Sequence, residues 1–272
     1  YDTDAGTNSA GSNDNVFIGY RSGFGTWADA ASQYNVAIGS GTLAAALDGA
    51  SQNVAVGYEA LNDVTTGDDN VAVGFGSGDA ITSGRYNTLM GSGSGGTLTD
   101  GDHNVMIGHN AGNLADTATA SAEYNVYIGG SAGRYLDDGL QNVAIGYEAM
   151  KSTGATQNAN YNVAVGYQAL LSITDGDSNV AVGTASGDAI DTGYANTLMG
   201  RYAGSAITGG ANNTCIGYAA GDSMTDNTNN VAIGSNALGV LESGGLNNVA
   251  VGVSAGAGLT TGDLNVAVGK SA

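Results

Sequence analysis

Apolar and polar positions follow one short cycle from Asn15 to the end of the chain. Counting Asn as position zero, plus one is Val or Thr, plus three is Ile, Val or Met, plus four is Gly, and plus seven is Ala, Ser or Thr. The cycle begins at Asn15, Asn35, Asn53, Asn70, Asn87, Asn104, Asn125, Asn142, Asn162, Asn179, Asn196, Asn213, Asn230, Asn248 and Asn265, mostly in steps of 17 residues with a few of 18 to 21. Near plus eleven an aliphatic residue usually returns, as in Val64, Ile81, Leu98, Leu136, Ile173, Ile190, Ile207 and Leu259. A Gly-containing turn such as "TTGDD" or "TSGRY" then leads to the next Asn.

A side-chain period of two places plus one and plus three on the same face of a short strand. The Gly that follows supplies a bend, and the segment near plus eleven forms a second wall. Two walls and two turns in about 17 residues describe one coil of a β-solenoid. The predicted fold is therefore all-β: a parallel β-solenoid, or β-roll, of about 15 coils spanning 1–272 as a single repeat array. At ~4.8 Å per coil the rod is on the order of 70 Å long. Identical Asn side chains one coil apart can hydrogen-bond to one another along the rod, so the Asn column is expected to be a structural ladder.

Position plus two breaks the alternation of a half-buried strand. It is Ala in nine coils and Phe17, Leu89, Met106, Tyr127, Leu198 or Cys215 in the other six, and it is never charged. Strands that are apolar on both faces are covered on both faces. The reading is that plus one and plus three fill the coil while plus two, at Phe17, Ala55, Leu89, Met106, Tyr127, Ala164, Leu198, Cys215 and Ala250, meets another chain. Small residues there would allow close approach around a symmetry axis, so the rod is expected to be a homotrimer.

A longer period lies over the short one. Residues 53–112 and 162–221 agree at 35 of 60 positions without a gap, which makes six coils a super-repeat of about 109 residues. The array starts and stops within a coil, and on this ground we expect a fragment of a longer chain.

Composition narrows the partners. With 47 Gly, no Pro and 42% hydrophobic residues, the chain is too apolar for disorder and too poor in large side chains for an ordinary core. A net charge of −19 disfavours nucleic acid and anionic membrane surfaces. No apolar run is long enough to insert in a bilayer. Cys215 has no partner for a disulfide within the chain.

The core "N-V-A-[IV]-G-x-x-[AS]", which covers nearly the whole chain, resembles the head repeats of trimeric autotransporter adhesins of the YadA type. It resembles more closely the "NTAIGYxAL…TTG" arrays of bacteriophage tail fibres and related fibrous surface proteins. The resemblance implies a trimeric extracellular rod, on a virion tail or a cell surface, that attaches to a cell-surface receptor or glycan. The adhesin unit is a few residues shorter, so the coil shape is not carried over.

Candidate chemistry is sparse. His103 and His109 flank one strand without a supporting Cys or Glu cluster and are read as solvated turn residues. The acidic turns "TTGDD", "TDGDS" and "LDDG" offer oxygen ligands of the kind Ca²⁺ takes, but they lack the Asp/Gly nonapeptide of calcium-binding β-rolls, so they are read as surface and no cofactor is expected. Asp79 and Asp188 recur one super-repeat apart, as turn residues do and a single active site does not. There is no Ser-His-Asp order or nucleophile elbow, and catalysis is not expected. Tyr20, Tyr58, Tyr147, Tyr167 and Tyr218 follow the motif Gly and should line one edge. Trp27 and the long connections after Gly19, Gly129 and Gly146 are candidates for recognition. Three functions fit: an attachment fibre or adhesin shaft, a homopolymeric extracellular filament built by end-to-end pairing of exposed edges, and a monomeric ice- or surface-binding solenoid. The last would want a regular Thr array, which the turn positions Thr65, Thr66, Thr82 and Thr260 do not make.

Overall fold

In a computed structural model of the chain, the described residues are 12–27, 30–113, 122–136, 138–152, 158–241 and 244–272. They form an all-β parallel solenoid with a repeat of about 17 residues and about 14 turns, without helices. None of them belongs to a helix long and apolar enough to cross a membrane. The array is divided into two compact units, Tyr1–Asp138 and Gly139–Ala272.

The first unit carries β1 (Val16–Ile18), β2 (Val36–Ile38), β3 (Val54–Val56), β4 (Val71–Val73), β5 (Thr88–Met90), β6 (Val105–Ile107) and β7 (Val126–Ile128). The second carries β8 (Val143–Ile145), β9 (Val163–Val165), β10 (Val180–Val182), β11 (Thr197–Met199), β12 (Thr214–Ile216), β13 (Val231–Ile233), β14 (Val249–Val251) and β15 (Val266–Val268). Within each unit every strand pairs in parallel with the next and without slippage: Ala55 lies beside Ala72, Leu89 beside Met106, Leu198 beside Cys215. The strands are three residues long because the chain bends at both ends. The residue before each Asn is left-handed, as at Gln52 (φ 63°), Tyr86 (φ 60°) and Ser178 (φ 60°). The Gly after each strand sits near φ +140°, a region in which a side chain is strained. At Gly166 a Cβ would also lie 2.5 Å from the carbonyl oxygen of Gly183 in the next coil, so close stacking excludes any other residue there.

The second wall is not a strand. It is a stack of turns hydrogen-bonded from coil to coil, as in Leu61 N–H to the Ser77 carbonyl (3.1 Å), Gly78 N–H to Ser94 (2.9 Å) and Thr65 N–H to Thr82 (2.9 Å). Val64, Ile81, Leu98, Leu136, Ile173, Ile190 and Ile207 are fully buried beneath it, and the small residues at plus seven, such as Ala60, Ser77 and Ala132, are buried with them.

The Asn column is a ladder with three bonds per rung. Asn70 donates its backbone N–H (3.0 Å) and its side-chain Nδ2 (3.1 Å) to Oδ1 of Asn53, and the same Nδ2 donates to the carbonyl of Gly84 (2.8 Å). Equivalent bonds run from Asn15 to Asn125 in the first unit and from Asn142 to Asn265 in the second, for example Asn35 on Asn15 and Asn265 on Asn248. Fully buried amides tolerate this because both halves of each one are satisfied.

Candidate functional site

The two faces of the strand are the reverse of the expected ones. Ala55, Leu89, Met106, Tyr127, Ala164, Leu198, Cys215 and Ala250, expected on an inter-chain face, are fully buried inside their own coils. Phe17 is half-buried and packs edge-on against Trp27, with ring centroids 5.5 Å apart. The reason is space. The interior between strand and turn wall admits at most one large side chain per level from plus two and plus eight; in the coils that begin at Asn70, Asn179 and Asn248 both are small, and Leu89, Leu198 and Leu238 of adjacent coils reach over Gly78, Gly187 and Gly256. Where plus two is large, plus eight is Gly: Phe17 with Gly23, Leu89 with Gly95, Met106 with Gly112, Tyr127 with Gly133, Leu198 with Gly204 and Cys215 with Gly221. A Cβ on Gly95 would come within 2.9 Å of Leu89, and one on Gly204 within 2.8 Å of Leu198. Where plus eight is Leu or Met, at Leu43, Leu61, Met150, Leu170 and Leu238, plus two is Ala. Ala at plus two therefore makes room for a neighbour within the chain.

Plus one and plus three point outward. Along each unit they form two columns of half-exposed Val, Ile, Met and Thr side chains, with Ile38, Met90, Ile145 and Met199 among the most open. A row of aromatic rings stands beside each end of the strands. Tyr86, His103 and Tyr124 precede their Asn residues and stack nearly parallel, with centroids 4.7 and 5.0 Å apart. After the motif Gly, Tyr58 stacks on Phe75 at 5.2 Å and Tyr147 on Tyr167 at 5.8 Å. Tyr20, Tyr58, Tyr147, Tyr167 and Tyr218 are about half exposed. Each of these rings keeps an open face or edge, which suits contact with another molecule.

The remaining candidates fall into place around this frame. His103 belongs to an aromatic stack. Trp27, a candidate for recognition, is almost wholly buried. The long connections after Gly19, Gly129 and Gly146 lie partly outside the described residues, at 28–29, 137 and 153–157. Turn carboxylates cap the preceding coil: Oδ1 of Asp68 accepts the Ser51 N–H (2.8 Å), that of Asp102 the Arg85 N–H (2.6 Å) and that of Asp177 the Asn160 N–H (2.7 Å). Among the described residues no three His, Cys, Asp or Glu side chains gather where they could hold a metal ion. Burial, with a smaller push from Asp222, raises the Cys215 thiol to about 12, so it is not a nucleophile at neutral pH.

Asp79, Asp188 and Asp222 share a different property. Partial burial, ahead of every other cause, raises each carboxyl above the ordinary carboxylate range. The folded chain therefore binds these protons more tightly than the unfolded one. Their stabilising contribution is complete below the unfolded pKa and disappears as pH rises through the folded value. Glu148 acts in the opposite sense, because hydrogen bonds from Lys151 first and Gln168 next lower its pKa. Three groups act in the raised sense, and protonation also relieves the net charge of −19. The melting temperature is expected to rise as pH falls from neutrality toward the unfolded-state carboxylate value of about 3.9, and Asp188→Asn should shrink the rise. A scanning-calorimetry series in which melting falls steadily over that range would refute this.

No protein-family model matches the chain, and no curated protein matches it.

Proposed function

We propose that the chain is a structural rod, a fibre or adhesin shaft, whose copies associate side by side through the Val/Ile face and which serves attachment to a host or surface outside the cell. The observation that carries the reading is the outward pair of apolar columns at plus one and plus three. Parallel sheets are normally covered on both faces, and a continuous apolar strip on a chain of net charge −19 marks a place of association. Two such strips match along their length without adjustment, because each repeats at the same ~4.8 Å spacing. Three copies around a common axis is the arrangement that the resemblance to adhesin heads and tail-fibre arrays implies. Its partner beyond itself is then a cell-surface receptor or glycan. The chemistry is mechanical, with no catalytic step and no cofactor.

Light scattering at several protein concentrations tests the proposal. A mass of three chains, independent of concentration and strengthened by salt as the mutual repulsion is screened, is the expected result. Particles that grow with concentration would favour end-to-end filaments. A single chain under all conditions would overturn self-association and the shaft with it.

A further inference from the structure

On the outer corner of the first unit, between the coils that begin at Asn70 and Asn104, lies an open hollow of about 340 Å³ bordered by Phe75, Asp79, Ser92, Thr97, Asn110 and Asn113. Gly93 and Gly96 form its floor. A Cβ on Gly93 would lie 2.5 Å from Oδ1 of Asn110, and one on Gly96 would lie 3.0 Å from Nδ2 of Asn113 and 3.3 Å from Oδ1 of Asp79. Three polar side chains thus converge over bare backbone. Asn113 is held in place by donating from Nδ2 to the Gly93 carbonyl (3.1 Å). At one side Phe75 presents an exposed ring backed by its stack on Tyr58.

Stacking of coils does not require any of this, as the second copy of the super-repeat shows. Across 53–112 and 162–221 more than half of the positions agree, yet around the hollow nearly all differ. Phe75 corresponds to Thr184, Ser92 to Arg201, Gly93 to Tyr202, Gly96 to Ser205, Asn110 to Ala219 and Asn113 to Asp222, and only Asp79 has its like in Asp188. The second copy folds into the same coils with the aromatic platform gone, both amides gone and the glycine floor occupied by larger residues.

We propose that the hollow is a binding site for one neutral sugar residue of a glycan, stacked on Phe75 and hydrogen-bonded through its hydroxyls to Asp79, Asn110 and Asn113. A pyranose offers an apolar C–H face to a ring and paired hydroxyls at its edge. A carboxylate that accepts and amides that both donate and accept match those hydroxyls. Asp79 is partly withdrawn from water, so hydroxyl donors replace hydration it already lacks. Among the described residues no cationic side chain borders the hollow, and the negative charge of Asp79 turns away acidic sugars, sulfate and phosphate. Residues of the plus-one and plus-three columns do not border it either, so the site and the self-association face can be tested apart.

Saturation-transfer NMR on the whole chain, with the methyl glycosides of glucose, galactose, mannose and N-acetylglucosamine and with sialic acid as the acidic counterpart, tests the assignment. At least one neutral glycoside should bind with a dissociation constant on the order of 1 mM, and sialic acid should not. Phe75→Thr and Ser92→Arg each copy what the second super-repeat already carries, so circular dichroism and melting should be unchanged. These two variants and Asp79→Asn should each weaken binding about 10-fold or more. Silence from all four neutral glycosides, preference for sialic acid, or binding indifferent to all three substitutions would overturn the proposal, whatever the mass of the assembly.

Discussion

Val165→Asp should give single chains by light scattering with an unchanged circular dichroism spectrum, whereas Ala164→Asp, one residue earlier, should not fold. Val165 is half-exposed on the outer face of β9, where a carboxylate keeps its water and meets an apolar strip only when another copy approaches. On a face that must pair with its own kind, every copy brings the charge, and like charges oppose each other across the contact. Ala164 is fully buried, with Ala144 on one side and Ala181 on the other. A carboxylate there is an unpaired charge in a space sized for a methyl group; removing it from water costs several kcal/mol and the crowding costs about 1–3 kcal/mol more. That is a large part of the stability of an ordinary domain. A Val165→Asp chain that still assembled would show that the apolar columns are not the interface. An Ala164→Asp chain with native melting would show that plus two is not interior.

The second large effect belongs to the ladder. Asn179→Asp preserves shape almost completely and should cost about 3–5 kcal/mol in denaturant unfolding. Oδ1 would still accept from Asn196, whose backbone N–H and Nδ2 reach it at 3.1 and 3.0 Å. The other end of the amide is the difficulty: Nδ2 donates to Oδ1 of Asn162 (3.1 Å) and to the Gly193 carbonyl (2.8 Å), and an oxygen in its place faces two acceptors. Burial and those acceptors would raise the new carboxyl's pKa, so the deficit should shrink as pH falls and one acceptor contact becomes a donor contact again. A loss below about 1 kcal/mol would mean that the strand bonds, rather than the ladder, carry the stack.

The period, the strands and the two marker columns were legible because stacking leaves them no freedom. Gly166 answers to the carbonyl of Gly183, and Asn70 to Asn53, so each cycle must repeat the same residue. Orientation was harder to read, since Val54, Ala55 and Val56 are all apolar and a three-residue strand has no polar side chain to mark the solvent. The signal lay six residues further on, in the exchange of bulk between Leu89 and Gly95, and between Ala55 and Leu61. A column facing another chain has no reason to keep that bargain with its own coil. Trp27 was misleading for a related reason: a large ring in a long connection suggests display, but Phe17 offered it an edge to pack against. The hollow under Phe75 was invisible because its walls come from three coils, and only the fold brings Asp79, Asn110 and Asn113 together.

The buried amides also bear on how the protein ages. Asparagine is among the thermolabile residues, and it decays when the backbone nitrogen of the following residue attacks the side-chain carbonyl. In the ladder that nitrogen is engaged: Val36 N–H donates to the carbonyl of Asn53, and Val71 N–H to that of Asn87, both at 2.8 Å. The amide under attack would also have to break its bonds to the neighbouring rungs. Deamidation at these sites thus requires a coil to open first. A chain built on one of the most perishable side chains keeps it in a form that cannot spoil while folded, and aspartate accumulating at these positions would record how often each coil has come undone.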